Sequence, residues 1–362
     1  NDSLQVPTYG VSHFSSTFEK ETEKFFDAIG VRQGTAYVNY SNGTLLTDAL
    51  LGIKNTFIET TGATYNERWE RKDLEDLPTI ETFNEGHVVT NPNALSIAYP
   101  MKAILKSMKV PTNHPIKMQN QLANALSGTT SPKNIFTRVS YETTFENIID
   151  SPVVYQRIQV DDKTQYGTIT LTFTPETDDP IYLEMAGTMG EEDLEMTLNG
   201  EPYAFYPVQS KPVLLSVAKN QKGQPQILRI TVKDDGFEFS KLNLYSLNTS
   251  LLNERLEQTK AQELKLETFS ATHFSGTMDV SEDSTVLTTI PYSKGWKIWV
   301  NGQEVDTYKI LDSLLGFTIS KGTHRIEYRY TTPFLLEGSL VSLASLLLVI
   351  LILYKRKKTD AS

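Results

Sequence analysis

The acidic side chains are the first residues in this sequence that could do chemistry. They cluster at Asp161-Asp162, Asp178-Asp179, Glu191-Glu192-Asp193 and Asp234-Asp235. Glycoside hydrolysis needs two carboxylates facing each other across a cleft, about 5 to 10 Å apart, and nothing in the spacing brings two of these groups onto one cleft. Adjacent acids in turns are usually solvated. Asp234-Asp235-Gly236 lacks the spaced oxygen ligands of a calcium loop and reads as a turn. The five histidines, His13, His87, His114, His273 and His324, are scattered and no cysteine accompanies them, so neither a metal site nor a cofactor is expected. His324 alternates with Ile326 and Tyr328 and reads as a structural side chain. There is no Gly-x-Ser-x-Gly elbow and no Gly-rich phosphate loop.

Aromatic residues are the remaining candidates, because an exposed indole can stack on a sugar ring or rest at a membrane interface. In the alternating run Trp296 to Val300, Trp296, Ile298 and Val300 share one face, while Lys297 and Trp299 share the other. Trp296 is therefore expected as a core anchor, and Trp299 as a candidate glycan contact. Trp69, flanked by Arg68, Glu70 and Arg71, gives a second candidate pair, Arg68 and Trp69.

These residues sit in a 362-residue chain with 34 basic and 44 acidic side chains, 10% aromatics and no cysteine. Absent cysteine excludes disulfide scaffolds, thiolate metal sites and thiol nucleophiles. The acidic balance argues against nucleic-acid binding, which calls for a basic stripe. The length predicts two or three domains. From Phe334 to Tyr354 the sequence is FLLEGSLVSLASLLLVILILY, with Glu337 as its one charge, followed by Lys355-Arg356-Lys357-Lys358. About 20 apolar residues with a basic flank predict a membrane span whose C-terminal side is cytoplasmic. Residues 1–333, with 30 basic against 42 acidic side chains, are then expected outside the cell. Thr331-Thr332-Pro333-Phe334 does not supply a sortase cleavage motif. Asn1-Asp2-Ser3 is neither an initiator Met nor a signal peptide, so an upstream segment is expected to deliver this part outside.

The elements that must position these residues fall into two textures. Up to about residue 130 the signals are mixed. They comprise a capping box at Ser16 to Glu19 leading into a helix ended by Gly30, a helix near Thr44 to Leu51, a strand at Ile53 to Ile58, and a helix opened by His114-Pro115. From Asn134 onward, short alternating runs separated by Gly, Pro, Asn and Asp predict β-sandwich structure. Two such units are expected, because Leu198-Asn199-Gly200-Glu201 is similar to Val300-Asn301-Gly302-Gln303, and Leu228 to Val232 is similar to Ile326 to Tyr330, in the same order. Asn-Gly supplies the positive torsions of a two-residue hairpin. The expected fold is α+β: an α/β lobe over residues 1–130, a jelly-roll-like sandwich over 134–250, a linker or helix over 251–266, a second sandwich over 267–333 completed by other segments if necessary, a membrane helix over 334–354, and a basic tail over 355–362.

Three stretches carry a resemblance to a known family: Pro291 to Gly302, Gly316-Phe317, and Lys321 to Tyr328 ahead of the terminal span. Tyr292, Gly295, Trp296, Asn301, Gly302, Gly322 and His324 stand within the first and last of them. Leu50 to Lys54, Asn93-Ala94-Leu95 and Gln119 to Gly128 agree in order. Together they resemble the YfhO family of bacterial membrane proteins over nearly the whole chain. The resemblance implies a multi-pass GT-C type glycosyltransferase that modifies wall polymers such as teichoic acid from a polyprenyl-phosphate-linked sugar. It also implies that the catalytic acid lies in an early outer loop between upstream helices, so it assigns no catalytic residue to this chain. The implied partners are the lipid bilayer, the upstream membrane region, the wall glycopolymer and the lipid-linked sugar. The competing expectation is a noncatalytic, membrane-anchored glycan-binding protein.

Overall fold

The computed structural model describes residues 10–15, 20–31, 33–34, 36–60, 71–150, 154–188, 194–205, 210–232 and 236–359. The capping box at residues 16–19, the acidic runs at 191–193 and 234–235, and Arg68 and Trp69 lie outside these residues.

The N-terminal part alternates short strands and helices. Strands β1 (His13–Phe14), β2 (Gln33–Gly34) and β3 (Tyr37–Val38) form one small sheet, and β4 (Asn55–Glu59), β5 (Thr79–Phe83) and β6 (Gly86–Thr90) another, ordered β4-β6-β5. Helix α1 (Lys20–Ala28) buries Phe25, Phe26 and Ala28, and Gly30 follows it at φ +81°. Helix α2 (Leu45–Leu50) begins at a reciprocal cap, in which Thr47 N–H donates to Thr44 Oγ1 and Thr44 N–H to Thr47 Oγ1. That cap satisfies donors the first turn would otherwise leave open. After β7 (Ala98–Lys102), helix α3 (Pro115–Ala125) starts where His114-Pro115 predicted, with proline in its first turn.

Two β-sandwiches follow. The first contains β8 (Phe136–Val139), β9 (Glu142–Glu146), β10 (Gly167–Phe173), β11 (Ile181–Thr188), β12 (Leu194–Leu198), β13 (Glu201–Phe205), β14 (Val213–Ala218), β15 (Gln226–Val232) and β16 (Glu238–Leu247). Its sheets run β13-β12-β15-β10-β9 and β14-β11-β16-β8. Helix α4 (Thr249–Lys260), capped by the Asn248 side chain, occupies the linker region and leads to the second sandwich. That unit contains β17 (Lys265–Phe269), β18 (His273–Val280), β19 (Ser284–Pro291), β20 (Trp296–Val300), β21 (Gln303–Val305), β22 (Thr307–Ile310), β23 (Leu314–Ile319) and β24 (Gly322–Tyr330). Its five-stranded sheet runs β21-β20-β24-β18-β17, the same order as in the first unit.

The likeness of the two units extends to single hydrogen bonds. Asn199 and Gly200 have φ of 52° and 90°, and Asn301 and Gly302 have 52° and 82°, the paired positive torsions that let a two-residue turn follow the strand twist. Asn199 N–H donates to Ile227 O (2.8 Å), its Oδ1 accepts from Ile227 N–H (2.9 Å), and its Nδ2 reaches Gln226 Oε1 (2.8 Å). Asn301 makes the same three contacts with Arg325 O (2.8 Å), Arg325 N–H (2.9 Å) and His324 Nδ1 (3.0 Å). The two turns lie in different sheets.

The four-stranded sheets differ in one informative way. In the first, β11 is flanked by β14 and by β16, the strand that follows β15. In the second, β24 is followed by α5 (Leu335–Thr359), and the place beside β19 is taken by β7, paired from Ser284↔Lys102 to Thr288↔Ala98. The second sandwich is thus completed by a strand from far upstream. Separate clusters centred on Leu171, Leu183 and Ile230, and on Phe274, Phe317 and Tyr328, fill the sandwiches. A third cluster joins Phe25, Leu46, Leu122, Tyr182 and Leu256 across the helices and both units. Leu335–Tyr354 within α5 is long and apolar enough to cross a membrane and buries nothing against the rest of the chain.

Candidate functional site

Of the residues singled out from sequence near the C-terminus, Gly295 and Trp296 lie at the junction between the second sandwich and α5, whereas Asn301, Gly302, Gly322 and His324 lie at the other end of β20 and β24. Only Thr331 to Phe334 separate β24 from the helix, and they are tied down. Tyr330 N–H donates to Thr272 O (2.7 Å), Thr331 N–H to Gly295 O (3.0 Å) and Leu335 N–H to Thr332 O (3.2 Å). Glycine at 295 is what allows this approach: a Cβ there would stand 2.4 Å from Thr331 O and 2.6 Å from Tyr330 Cε2. Trp296 packs edge-on against Phe274 (ring centroids 5.8 Å) and beside Tyr330 (5.2 Å). It is half-buried and packs against the second core, on the face that its parity assigned to it. Tyr292 packs on the same cluster. His324, half-buried, accepts from Asn301 through Nδ1 and donates through Nε2 to Ser320 O (2.9 Å), so its role is to brace the turn. Gly322 adopts φ +131° at the start of β24.

Trp299 lies on the opposite face of β20, as its parity requires. The Arg329 guanidinium sits 4.9 Å from its ring centroid, occupying a face on which a sugar would stack. Arg329 also pairs with Glu327 (2.6 Å), which accepts from His273 Nε2 (2.8 Å). These hydrogen bonds, from His273 first and then Arg329, hold the Glu327 carboxyl below the usual glutamate range.

A buried ion cluster among the described residues has no counterpart in the sequence reading. Arg71 bridges Asp48 (2.6 Å) and Asp73 (2.7 Å), whose side chains are 3% and 0% exposed. Tyr40 Oη donates to Asp48 Oδ1 and Tyr182 Oη to Asp73 Oδ2, each at 2.8 Å. Burial first, and the facing carboxylate second, push both phenols well above their usual range, so they remain donors. Burial also raises the Asp48 carboxyl, with Arg71 opposing it. Asp73 N–H donates to Ser216 Oγ (2.8 Å). The cluster therefore pins α2 and the segment after residue 70 to strands β11 and β14 of the first sandwich. The signal that could have revealed it is Asp48, a lone acid within the apolar run Leu45 to Leu51.

Among the described residues no group of three or more His, Asp or Glu could hold a metal ion. Two of the acidic pairs serve local structure: Asp162 Oδ1 accepts from Thr164 N–H and Oγ1, and Asp179 Oδ1 from Thr249 N–H at the start of α4.

Comparison with known proteins agrees with the membrane junction. A family model described as bacterial membrane protein YfhO matches residues 1–342. The chain belongs to the YfhO family. A relative from Bacillus subtilis (strain 168), described as "Uncharacterized protein YfhO", is 26% identical over 130 residues, covering 36% of this chain and 15% of the relative. Among solved structures, an anti-sigma factor domain-containing protein matches at 10% identity with a TM-score of 0.18, covering 53% of this chain and 89% of its own. A protein of the same description from Clostridium clariflavum matches at 9% identity with a TM-score of 0.17, covering 53% and 90%. Likeness at that level carries no argument about fold or role. YfhO membership and the apolar helix α5 make this a membrane-associated protein.

Proposed function

We propose that this chain is the outer portion of a YfhO-family membrane glycosyltransferase that glycosylates a wall polymer such as teichoic acid from a lipid-linked sugar. Its own role is to stand at the membrane surface and position the acceptor or brace the membrane-embedded catalytic region. The observation that supports this reading is the clamped connector. With four residues between β24 and α5, each spanning at most about 3.5 Å, and with Thr331 bonded to Gly295, the second sandwich has no slack to rise from the bilayer.

The absence of native cysteine makes the topology directly testable. Single cysteines in place of exposed Lys222 and of Ser362 are treated in intact cells with a membrane-impermeant maleimide. Labelling at 222 and protection at 362 are expected; the reverse pattern overturns the orientation. The purified chain, incubated with a polyprenyl-phosphate-linked sugar and a polymer acceptor, is expected to transfer nothing. Transfer would place catalysis in this chain and overturn the division of labour.

A further inference from the structure

The two ends of the second sandwich are chemically unequal. Register brings the start of β20, the end of β24, the start of β18 and the end of β17 to one end of the five-stranded sheet, through Trp296↔Tyr330, His273↔Arg329 and Phe269↔Phe274. The chain leaves this end for α5. The loops here, 270–272, 292–295 and 331–334, contain Tyr292, Phe334 and Lys294 and no acid. At the opposite end the turns 281–283, 301–302 and 320–321 contain Glu282, Asp283 and Lys321 and no aromatic residue.

The aromatic character continues onto the strands. Phe269, Phe274, Trp296 and Tyr330 form a series of rings, with centroids 5.9 Å, 5.8 Å and 5.2 Å apart in that order. Phe274 is buried, but Phe269 is 46% and Phe334 78% exposed, with Trp296 and Tyr330 half-buried between them. The second core is thus extended outward by aromatic rings at the end where the span departs. One acid, Asp312, stands in the 311–313 turn of the four-stranded sheet. That turn is packed on the N-terminal part, since Ser313 Oγ donates to Thr22 Oγ1 (3.4 Å) and Leu311 joins the cluster around Phe25. The aromatic rim therefore belongs to the five-stranded sheet.

We infer that this rim is a membrane-inserting surface in its own right, with the rings of Phe269, Trp296, Tyr330 and Phe334 seated in the headgroup layer of the bilayer that α5 crosses. The inference rests on the reading that the sandwich stands at the membrane, and adds which residues enter it. Continuity with the span identifies lipid as the occupant. Four connector residues extend at most about 14 Å, and the bond from Leu335 N–H to Thr332 O shortens that reach. Tyr330 is held to the 270–272 loop through Thr272 O, so the rim and the first turn of α5 share one depth. Rings with an apolar body and a polar handle favour that depth, and an exposed Phe gains by leaving water. Interfacial anchors also set the tilt and rotation of a span. Helix and rim together hold the sandwich at two points, where a helix alone would let it swing.

The test uses the 362-residue chain in phosphatidylcholine vesicles. Because native cysteine is absent, a nitrobenzoxadiazole fluorophore is attached singly through Ala271→Cys, Lys294→Cys or Glu282→Cys, all exposed positions. The quencher is phosphatidylcholine with a nitroxide on its headgroup. Fluorophores at 271 and 294 are expected to emit to the blue of that at 282 and to lose about half or more of their emission to the nitroxide lipid, while 282 loses little. Phe269→Ser with Phe334→Ser is expected to return the 271 fluorophore to aqueous emission while the chain still floats with the vesicles, and Phe269→Trp with Phe334→Trp to preserve the blue emission. Both pairs are checked for unchanged thermal unfolding. Equal emission and quenching at all three positions would overturn the inference. So would blue emission that survives the serine pair, which would leave α5 alone drawing the sandwich down. Shielding of 271 and 294 without nitroxide quenching, as when a second copy packs on the rim, would overturn it too. Neither orientation nor sugar transfer is read here, so failure of this experiment is distinct from failure of the functional reading.

Discussion

Replacing Arg71 with glutamine offers a direct measure of the buried ion cluster. In the native chain the guanidinium contacts Asp48 and Asp73 at 2.6 to 2.7 Å, and the three side chains are 12%, 3% and 0% exposed. Arg71→Gln leaves two buried carboxylates without their counterion, a change that costs about 3 to 5 kcal/mol when a buried pair is broken from one side. For a chain of this size the melting temperature should fall on the order of 10 °C. The pH dependence supplies a second readout. Asp48 is already raised above the usual aspartate range, by burial first, with Arg71 holding it back. A carboxyl raised in the folded state contributes stability that is full below its unfolded value, near 4, and lost as pH rises through the folded value. Removing Arg71 lifts the folded value further and extends that loss toward neutrality. Acidification from pH 7 to about 5 should therefore narrow the gap between variant and native protein, followed by near-UV circular dichroism during heating. Asp48→Asn added to Arg71→Gln should recover part of the loss. A melting temperature within about 2 °C of native, or a gap that does not narrow in acid, would refute the reasoning. Arg71→Lys, which keeps the charge and loses the bidentate geometry, provides an intermediate variant should the glutamine form fail to fold.

Three further outcomes are expected. Trp296→Ala should lose about 2 kcal/mol, roughly half of a fully buried indole's contribution because Trp296 is half-buried, and more than Trp299→Ala, because Trp296 packs on Phe274, Tyr330 and the second core whereas Trp299 faces Arg329 on the other side of β20; thermal unfolding of the two variants side by side decides the order. Gly295→Ala should destabilise the junction by about 1 to 3 kcal/mol and raise hydrogen exchange at the Thr331 amide, and unchanged exchange there would show that the clamp is not rigid. Asn199→Ala and Asn301→Ala each remove a side chain that holds a left-handed turn and two hydrogen bonds across to β15 or β24. Each should cost about 1 to 2 kcal/mol, and a large difference between them would mean the two units do not share this brace.

Several features of this protein follow from local chemistry and were legible in the sequence. A two-residue turn needs positive φ at both positions, so Asn199-Gly200 and Asn301-Gly302 announce hairpins wherever they occur. His114-Pro115 opens a helix because proline lacks the amide that the first turn leaves unpaired in any case. The apolar run in α5 must avoid water whatever surrounds it. Parity placed Trp296 and Trp299 on opposite faces of β20, since adjacent side chains alternate across a strand. Other features were decided only by tertiary structure, because they depend on which distant segment arrives. β7 is a short strand, and nothing local says that it will fill the place beside β19 that β16 fills beside β11 in the first sandwich. Asp48, Arg71 and Asp73 are ordinary charges until α2 packs on β11 and β14 and removes the water around them. Gly295 looks like any turn glycine until Thr331 is laid against it. Depth of burial, too, is a property of the assembled sheet: Trp296 faces the core by parity, but its position at the open end of β20 leaves it half in solvent, beside the connector it helps to hold.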